Sequence, residues 1–321
     1  MDRQLSLEFA RITEQAALKS ARLVGLGDKE GADQAAVDGM HEQFALTPVS
    51  GTVVIGEGEI DEAPMLYIGE HVGQGGEEVD SAVDPVEGTN LVAKGKNGAI
   101  AVLAIAPKGC LLHAPDMYMQ KICVGPRAKG RIDIRASVTE NLKNVADAMG
   151  REVSDLTMVI LDRERHEKII REAREAGARV YLITDGDVVP SVDCGIQGSG
   201  IHMVMGSGGA PEGVLSAVGL KCLGGDMQAR LLPQTEQEIQ RLHTMGIDDP
   251  NKVLTLDDLV KGDDCIFAET AITDCAMLRG VRFFGGGART STLVLRYKTG
   301  TVRFIDTVHR FGEDKPGVRM F

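Results

Sequence analysis

The sequence predicts an α/β protein built from alternating helix and sheet layers. Three observations carry this expectation. The chain opens on two stretches of helical periodicity, its middle alternates apolar strand runs with helices, and its last quarter is mostly strands around a glycine run.

In chain order, Leu5, Phe9, Ile12, Ala16 and Leu23 approximate one helical stripe, and Val37, Met40 and Phe44 repeat the pattern after Ala32. Gly51-Thr-Val-Val-Ile-Gly56 reads as a short buried strand, Val79 to Val83 as a second, and Ala99 to Ala106 as a third with no polar interruption. Gly125 to Gly130, with Pro126, marks a turn, and Asn141 to Met149 a short helix. Thr157 to Leu161 then reads as a strand, Arg163 to Ala176 as a helix closed by Gly177, and Val180 to Thr184 and Ile201 to Met205 as strands. A helix from Gly213 to about Leu223 follows. Cys265 to Thr270, Val281 to Phe284, Thr292 to Tyr297 and Thr301 to Asp306 read as strands, with Gly285 to Gly287 as a hairpin turn. At 321 residues the chain suits one large or two fused domains. The division is expected near 155, giving 1–155 and 156–321.

Composition excludes several classes of function. Lys and Arg total 35 against 47 Asp and Glu, a net charge of -12, which argues against nucleic-acid or anionic-membrane partners. Few aromatics, with no Trp, leave little material for base stacking. No apolar run is long enough to span a bilayer, and Met1 to Ala10 holds charges rather than an apolar signal core, so a cytoplasmic location is expected. The six cysteines form no C-x-x-C pair and read as reduced, partly buried residues. The seven histidines show no ligand spacing and read as structural or surface residues. A dinucleotide fingerprint fails in Gly206-Ser-Gly-Gly-Ala-Pro211, where proline takes the third glycine's place, and no P-loop, zinc-protease or serine-hydrolase motif occurs.

Three acidic clusters sit at the ends of expected strands. The first is Glu57-Gly-Glu59-Ile-Asp61-Glu62, the second Asp84-Pro-Val-Glu87-Gly88-Thr89, and the third Glu212 at the start of a helix. Each alone is an ordinary solvated turn, and Glu212 alone could favour a helix dipole. Together, at strand ends that converge in an α/β layer, they form a candidate site. Crowded carboxylates need solvent or cations, and hard oxygen ligands without Cys or His imply Mg²⁺ or Mn²⁺. Carboxylates around paired divalent ions with a hydroxyl nearby suit hydrolysis of a phosphate ester.

Asp84-Pro-Val-Glu-Gly-Thr89 resembles the D-P-(I/V)-(D/E)-G-T motif of the lithium-sensitive, metal-dependent phosphatase superfamily. The strings Gly51 to Met65, Ala114-Pro-Asp-Met-Tyr-Met119 and Gly208-Gly-Ala-Pro-Glu-Gly213 are similar to class II fructose-1,6-bisphosphatases, over nearly the whole chain. The resemblance implies a sandwich of αβαβα type, an N-terminal metal-binding part and a C-terminal part that adds substrate contacts and one metal ligand. It implies a two-metal site of Mn²⁺ or Mg²⁺ in which Asp33 and Glu57 hold one ion and Asp84, Glu87 and Glu212 the other. It places Thr89 as the residue that orients the attacking water, Asp61 as a catalytic carboxylate and Glu59 as a weaker candidate. Glu87, Gly88, Thr89, Tyr118, Arg163, Glu164, Arg165, Asp185, Gly186, Asp187 and Gly209 match substrate-contacting positions.

The residues themselves are compatible with those roles. Asp33 would otherwise read as a helix cap, Tyr118 as a buried ring, and Asp185-Gly-Asp187 as a turn. Arg163 and Arg165 at a helix start run against the dipole preference, which points to an anionic partner. The implied activity is removal of the 1-phosphate of fructose 1,6-bisphosphate in gluconeogenesis by a homo-oligomer, dimer or tetramer. Sedoheptulose 1,7-bisphosphate is the alternative substrate, and a non-catalytic sugar-phosphate sensor is the rival from another class.

Overall fold

The computed structural model describes residues 1–58, 65–244, 247–249 and 251–312. The chain divides into two compact units. The first comprises Met1–Gly109 and Asp263–Phe321, and the second is Cys110–Gly262, inserted between them in sequence. The expected boundary at 155 falls inside the second unit. The strands after Asp263 return to the first sheet, a pairing that local sequence does not announce.

The first unit begins with α1 (Leu5–Ser20), which tightens into a 3-10 turn over Ala21–Leu23, and α2 (Lys29–Phe44). Asp28, rather than Asp33, caps α2, its carboxylate accepting the Gly31 N–H at 2.8 Å. β1 (Val49–Ile55), β2 (His71–Val72), β3 (Glu77–Glu87), a short α3 (Thr89–Ala93) and β4 (Ile100–Pro107) follow.

The second unit runs through β5 (Tyr118–Val124), α4 (Val138–Met149), β6 (Thr157–Leu161), α5 (Glu167–Glu175), β7 (Arg179–Ile183), α6 (Val188–Asp193), β8 (Met203–Gly209), α7 (Ala210–Leu223), β9 (Asp226–Leu231), α8 (Glu236–Thr244), β10 (Leu254–Thr255) and α9 (Leu256–Leu259). The chain then rejoins the first unit with β11 (Ile266–Ala271), β12 (Arg282–Phe284), β13 (Gly287–Arg296) and β14 (Thr301–Arg310).

The first sheet has the order β12-β13-β11-β4-β3-β1-β2, with β14 paired to β13. α1 and α2 cover one of its faces through a core that includes Phe9, Ile12, Met40, Phe44, Val53, Leu103 and Val294. That burial, about 25 cal/mol per Å² of apolar surface, fixes the helices on the sheet. The hairpin expected at the glycine run is present: Phe284 pairs with Gly287, and Gly286 takes φ +83°, a left-handed value that glycine adopts without strain.

The second sheet has the order β10-β9-β5-β8-β6-β7. β6 runs parallel to both β7 and β8, so their C-terminal ends lie together at one edge. β5 and β9 were not expected as strands, and β5 is central, pairing antiparallel with β8 and β9. α4 and α5 pack over Ile122, Met158 and Ile160. Both units mix strands and helices, as the α/β class requires. All six cysteines are free, four of them buried.

Candidate active site

In the first unit the candidate residues gather where β1 and β3 end. The Glu57 N–H donates to the Leu66 carbonyl at 3.0 Å, and that oxygen lies so close to Gly56 that a Cβ there would stand 1.9 Å away. The chain turns at Gly56 because only glycine fits. Glu57 and Asp33 share a hydrogen bond, so one of the two carboxyls holds a proton. Burial raises both, Glu57 to about 8 with the Asp33 charge adding to the effect, while Lys29 partly offsets the rise at Asp33. A pair of half-buried carboxyls that share a proton is a seat for a cation that could displace it.

Asp84 and Glu87 are three residues apart and would face opposite sides of a regular strand. β3 bulges between them: Asp84 pairs with Val102 and Glu87 with Ile100, so two residues of β3 stand opposite the single Ala101. Val102 and Ile100 share a face, and the bulge therefore brings both carboxylates to one face. Pro85, which has no N–H for the ladder, sits inside the bulge. Asp84 Oδ1 accepts the Val86 N–H at 3.0 Å. Gly88 follows at φ +91° and turns the chain into α3, whose first residue is Thr89. Glu59 and Asp61 lie outside the described residues.

In the second unit the substrate-contacting candidates stand after the C-terminal ends of β6, β7 and β8. Arg163 donates to the Thr184 carbonyl at 2.6 Å and pairs with Asp185 at 3.1 Å. Gly186, at φ +80°, makes the turn between Asp185 and Asp187. Arg165 donates through Nε to Ser207 Oγ at 3.0 Å and through Nη2 to the Ser207 carbonyl at 2.8 Å, and its guanidinium stacks 4.9 Å from the Tyr118 ring centre. Tyr118 is half-exposed rather than a buried ring, and Glu164 points to solvent.

Two residues that the sequence did not single out hold this arrangement. His166 is buried; its Nδ1–H donates to the Leu161 carbonyl at 2.8 Å, which leaves Nε2 to accept the Ser207 N–H at 2.9 Å. Lys121 on β5 is fully buried and pairs with Asp187 Oδ1 at 2.8 Å. Burial alone would lower its pKa, yet Asp187 and Glu212 hold it above the usual lysine value. The one signal for Lys121 in the sequence is a lysine within the apolar run Tyr118 to Val124.

Glu212 lies in the first turn of α7. Gly209 has no room for a Cβ, which would stand 1.9 Å from Glu212 Oε2. Burial raises the Glu212 pKa, Lys121 opposes the rise, and Asp187 and Asp116 add to it. Its Oε2 is buried without a hydrogen-bond partner. A carboxylate oxygen in that condition fits a cation ligand, and the Asp33–Glu57 pair fits the same chemistry.

Carboxyls suited to hard cations in each unit, with guanidinium groups beside hydroxyl and carboxylate partners in the second, are the donor types of a hydrolase for phosphate esters. Comparison with known proteins narrows the class. Residues 3–309 match the family of bacterial fructose-1,6-bisphosphatases, glpX-encoded, and the chain belongs to that family. A protein of Synechococcus sp. strain JA-2-3B'a(2-13), named D-fructose 1,6-bisphosphatase class 2/sedoheptulose 1,7-bisphosphatase, is 50% identical over 346 aligned positions that cover 100% of both chains. Proteins of the same name from Crocosphaera subtropica and Trichodesmium erythraeum are 48% and 47% identical, covering 96% and 98% of this chain and 97% and 99% of their own. Among the described residues no helix is long and apolar enough to cross a membrane.

Proposed function

We propose that the chain hydrolyses the 1-phosphate of fructose 1,6-bisphosphate, releasing fructose 6-phosphate and phosphate, as a step of gluconeogenesis. Family membership over residues 3–309 is the observation that carries this reading. In it, Asp33 and Glu57 hold one Mn²⁺ or Mg²⁺ ion, and Asp84, Glu87 and Glu212 hold a second. When bound, such ions polarise phosphoryl oxygen and lower the pKa of a bound water. Thr89, fixed behind the left-handed Gly88, orients the attacking water through its hydroxyl, and Asp61 assists proton transfer, with Glu59 beside it as the weaker candidate. Arg163 and Arg165 bind the 6-phosphate, and Tyr118, Asp185 and Asp187 receive the sugar. Both guanidinium groups are already held by protein partners, so little side-chain entropy is lost on binding. Anchoring energy at the distant phosphate can then orient the reacting one.

A cytoplasmic homo-oligomer completes the reading. On β14, at an edge of the first sheet, Val302, Phe304 and Val308 are exposed on one face, the kind of apolar row that a second copy would cover. Light scattering on the purified chain gives the subunit number. The relatives' names favour a second substrate, sedoheptulose 1,7-bisphosphate, which also carries a phosphate at each end. The deciding experiment measures phosphate release from both sugars with Mn²⁺ and with Mg²⁺, before and after chelation. Metal-dependent release, abolished by chelator, is expected. Binding without release would instead favour the sugar-phosphate sensor.

A further inference from the structure

At the N-terminal ends of β6, β7 and β8, the edge opposite Arg163, Asp185 and Gly209, the second unit contains a cavity of about 530 Å³. Arg127, Arg151, Arg179 and His202 line it together with Met149, Ile196 and Ile201. Among the described residues no carboxylate lines it, and its charged side chains are all cationic. Arg127 donates to the Met149 carbonyl, and Arg179 to the Asp155 carbonyl at 2.6 Å and to Thr157 Oγ1 at 3.2 Å. Among the described residues none of the three arginines forms an ion pair with a carboxylate, in contrast to Arg163 with Asp185. The neighbouring acids, Glu152 and Asp155, are tied to each other's backbone in the 3-10 turn Val153–Asp155.

His202 makes the imbalance explicit. Its ring is nine-tenths buried, and Nδ1 accepts the Thr157 N–H at 2.9 Å. A neutral imidazole with Nδ1 as acceptor carries its proton on Nε2. That Nε2–H stands 2.9 Å from Arg151 Nη1, so two donors face each other. Burial, with the charges of Arg151 and Arg179, lowers the ring's pKa and keeps it from adding a further cation. An oxygen-rich anion would accept from both groups and remove the conflict.

We propose that this cavity is a second anion site, distinct from the hydrolytic one, that binds a small organic phosphomonoester. The phosphoryl oxygens accept from Arg151, Arg179 and His202, and Arg127 adds positive charge at the rim. The carbon body lies against Met149, Ile196 and Ile201. The volume falls within the roughly 300–1,000 Å³ typical of small-molecule pockets and exceeds what a bare phosphate fills.

The test is calorimetric titration of the full chain with ribose 5-phosphate and, separately, with inorganic phosphate. The double variant Arg151→Ala/Arg179→Ala is expected to bind ribose 5-phosphate at least tenfold more weakly than the parent while retaining fructose 1,6-bisphosphate hydrolysis within about twofold. Arg165→Ala, at the opposite edge of the sheet, is expected to leave this binding intact. Unchanged binding by the double variant, or loss in Arg165→Ala alone, overturns the site. Equal affinity for ribose 5-phosphate and inorganic phosphate overturns the assignment of an organic body. If the double variant melts early, the His202 ring signals of the parent chain decide: a saturable shift with ribose 5-phosphate supports the proposal, and no shift overturns it.

Discussion

The two units neutralise their partly or fully buried carboxyls in different ways. In the first, Asp33 and Glu57 share a proton, and Lys29 acts only through space. In the second, Asp187 has a buried partner of its own, Lys121, at 2.8 Å. Glu212 stands between these cases, attracted by Lys121 yet with Oε2 lacking a hydrogen-bond partner. The difference separates groups that need a cation from outside from groups that carry one. Asp33 and Glu57 ionise together only when something replaces their proton, whereas Asp187 is paired with the buried Lys121 ammonium of the protein itself.

The largest expected effects test the first half of that comparison. Glu57→Gln should reduce kcat by about 10³-fold or more, because a proposed metal ligand is lost. It should leave the metal-free melting temperature nearly unchanged, since the introduced amide can donate to Asp33 as the shared proton did. Thr89→Ala should keep the fold and metal binding and lower kcat by well over tenfold. A value within about tenfold of the parent would remove Thr89 from the role of orienting the water.

Lys121→Met should behave in the opposite way. Removing one partner of a buried pair leaves the other uncompensated, at a typical cost of about 3–5 kcal/mol. Urea unfolding with and without Mn²⁺ reads it directly. A loss under about 1 kcal/mol would mean that Asp187 and Glu212 are balanced by something other than Lys121, and the contrast between the units would fail.

Asp193 inverts the rule within the second unit. Both carboxyl oxygens are buried without hydrogen-bond partners, and burial alone raises the group to about 7. The folded chain thus holds this proton more tightly than the unfolded chain. The resulting stability is fully present below the unfolded value near 4 and is lost as pH rises through about 7. The shift corresponds to a few kcal/mol, of the order of 4 at most. Asp193→Asn should abolish this part of the pH dependence between pH 4 and 8, giving the larger gain in melting temperature at the alkaline end. Parallel stability curves for parent and variant would show that Asp193 is not held protonated.

What the sequence made legible was local. The strings at Glu57, at Asp84 to Thr89 and at Gly208 to Gly213 lie at strand ends, where a few consecutive residues set the turn, so their chemistry could be read in place. Lys121 was missed because its meaning depends on β5 pairing with β8, which brings it beside Asp187, 66 residues away in sequence. The shared face of Asp84 and Glu87 depends on a bulge that only the partner strand β4 defines. The division near 155 gave way to an inserted unit because β11, Ile266–Ala271, returns to pair with β4, and strand order is not encoded in either strand alone. His166 offered no ligand spacing, and its role is to hold Ser207 rather than to bind anything itself.

The smallest effect refines the contrast at one oxygen. Arg165 is tied to Ser207 twice, by Nε to the hydroxyl at 3.0 Å and by Nη2 to the carbonyl at 2.8 Å. Ser207→Ala deletes the first tie, together with the hydroxyl's contact to His166 Nε2 at 3.0 Å. The carbonyl, the N–H bond to His166 and the stacking on Tyr118 remain, so the guanidinium stays near its place with more freedom. A hydrogen bond of this kind contributes about 1 kcal/mol, so KM for fructose 1,6-bisphosphate should rise roughly three- to tenfold with kcat nearly unchanged. Ser207→Thr, which keeps the hydroxyl, should recover most of the loss. A fall in kcat at constant KM would place Arg165 at the reacting phosphate instead of the anchoring one, and the cationic edge of the second unit would then belong to the chemistry rather than to binding.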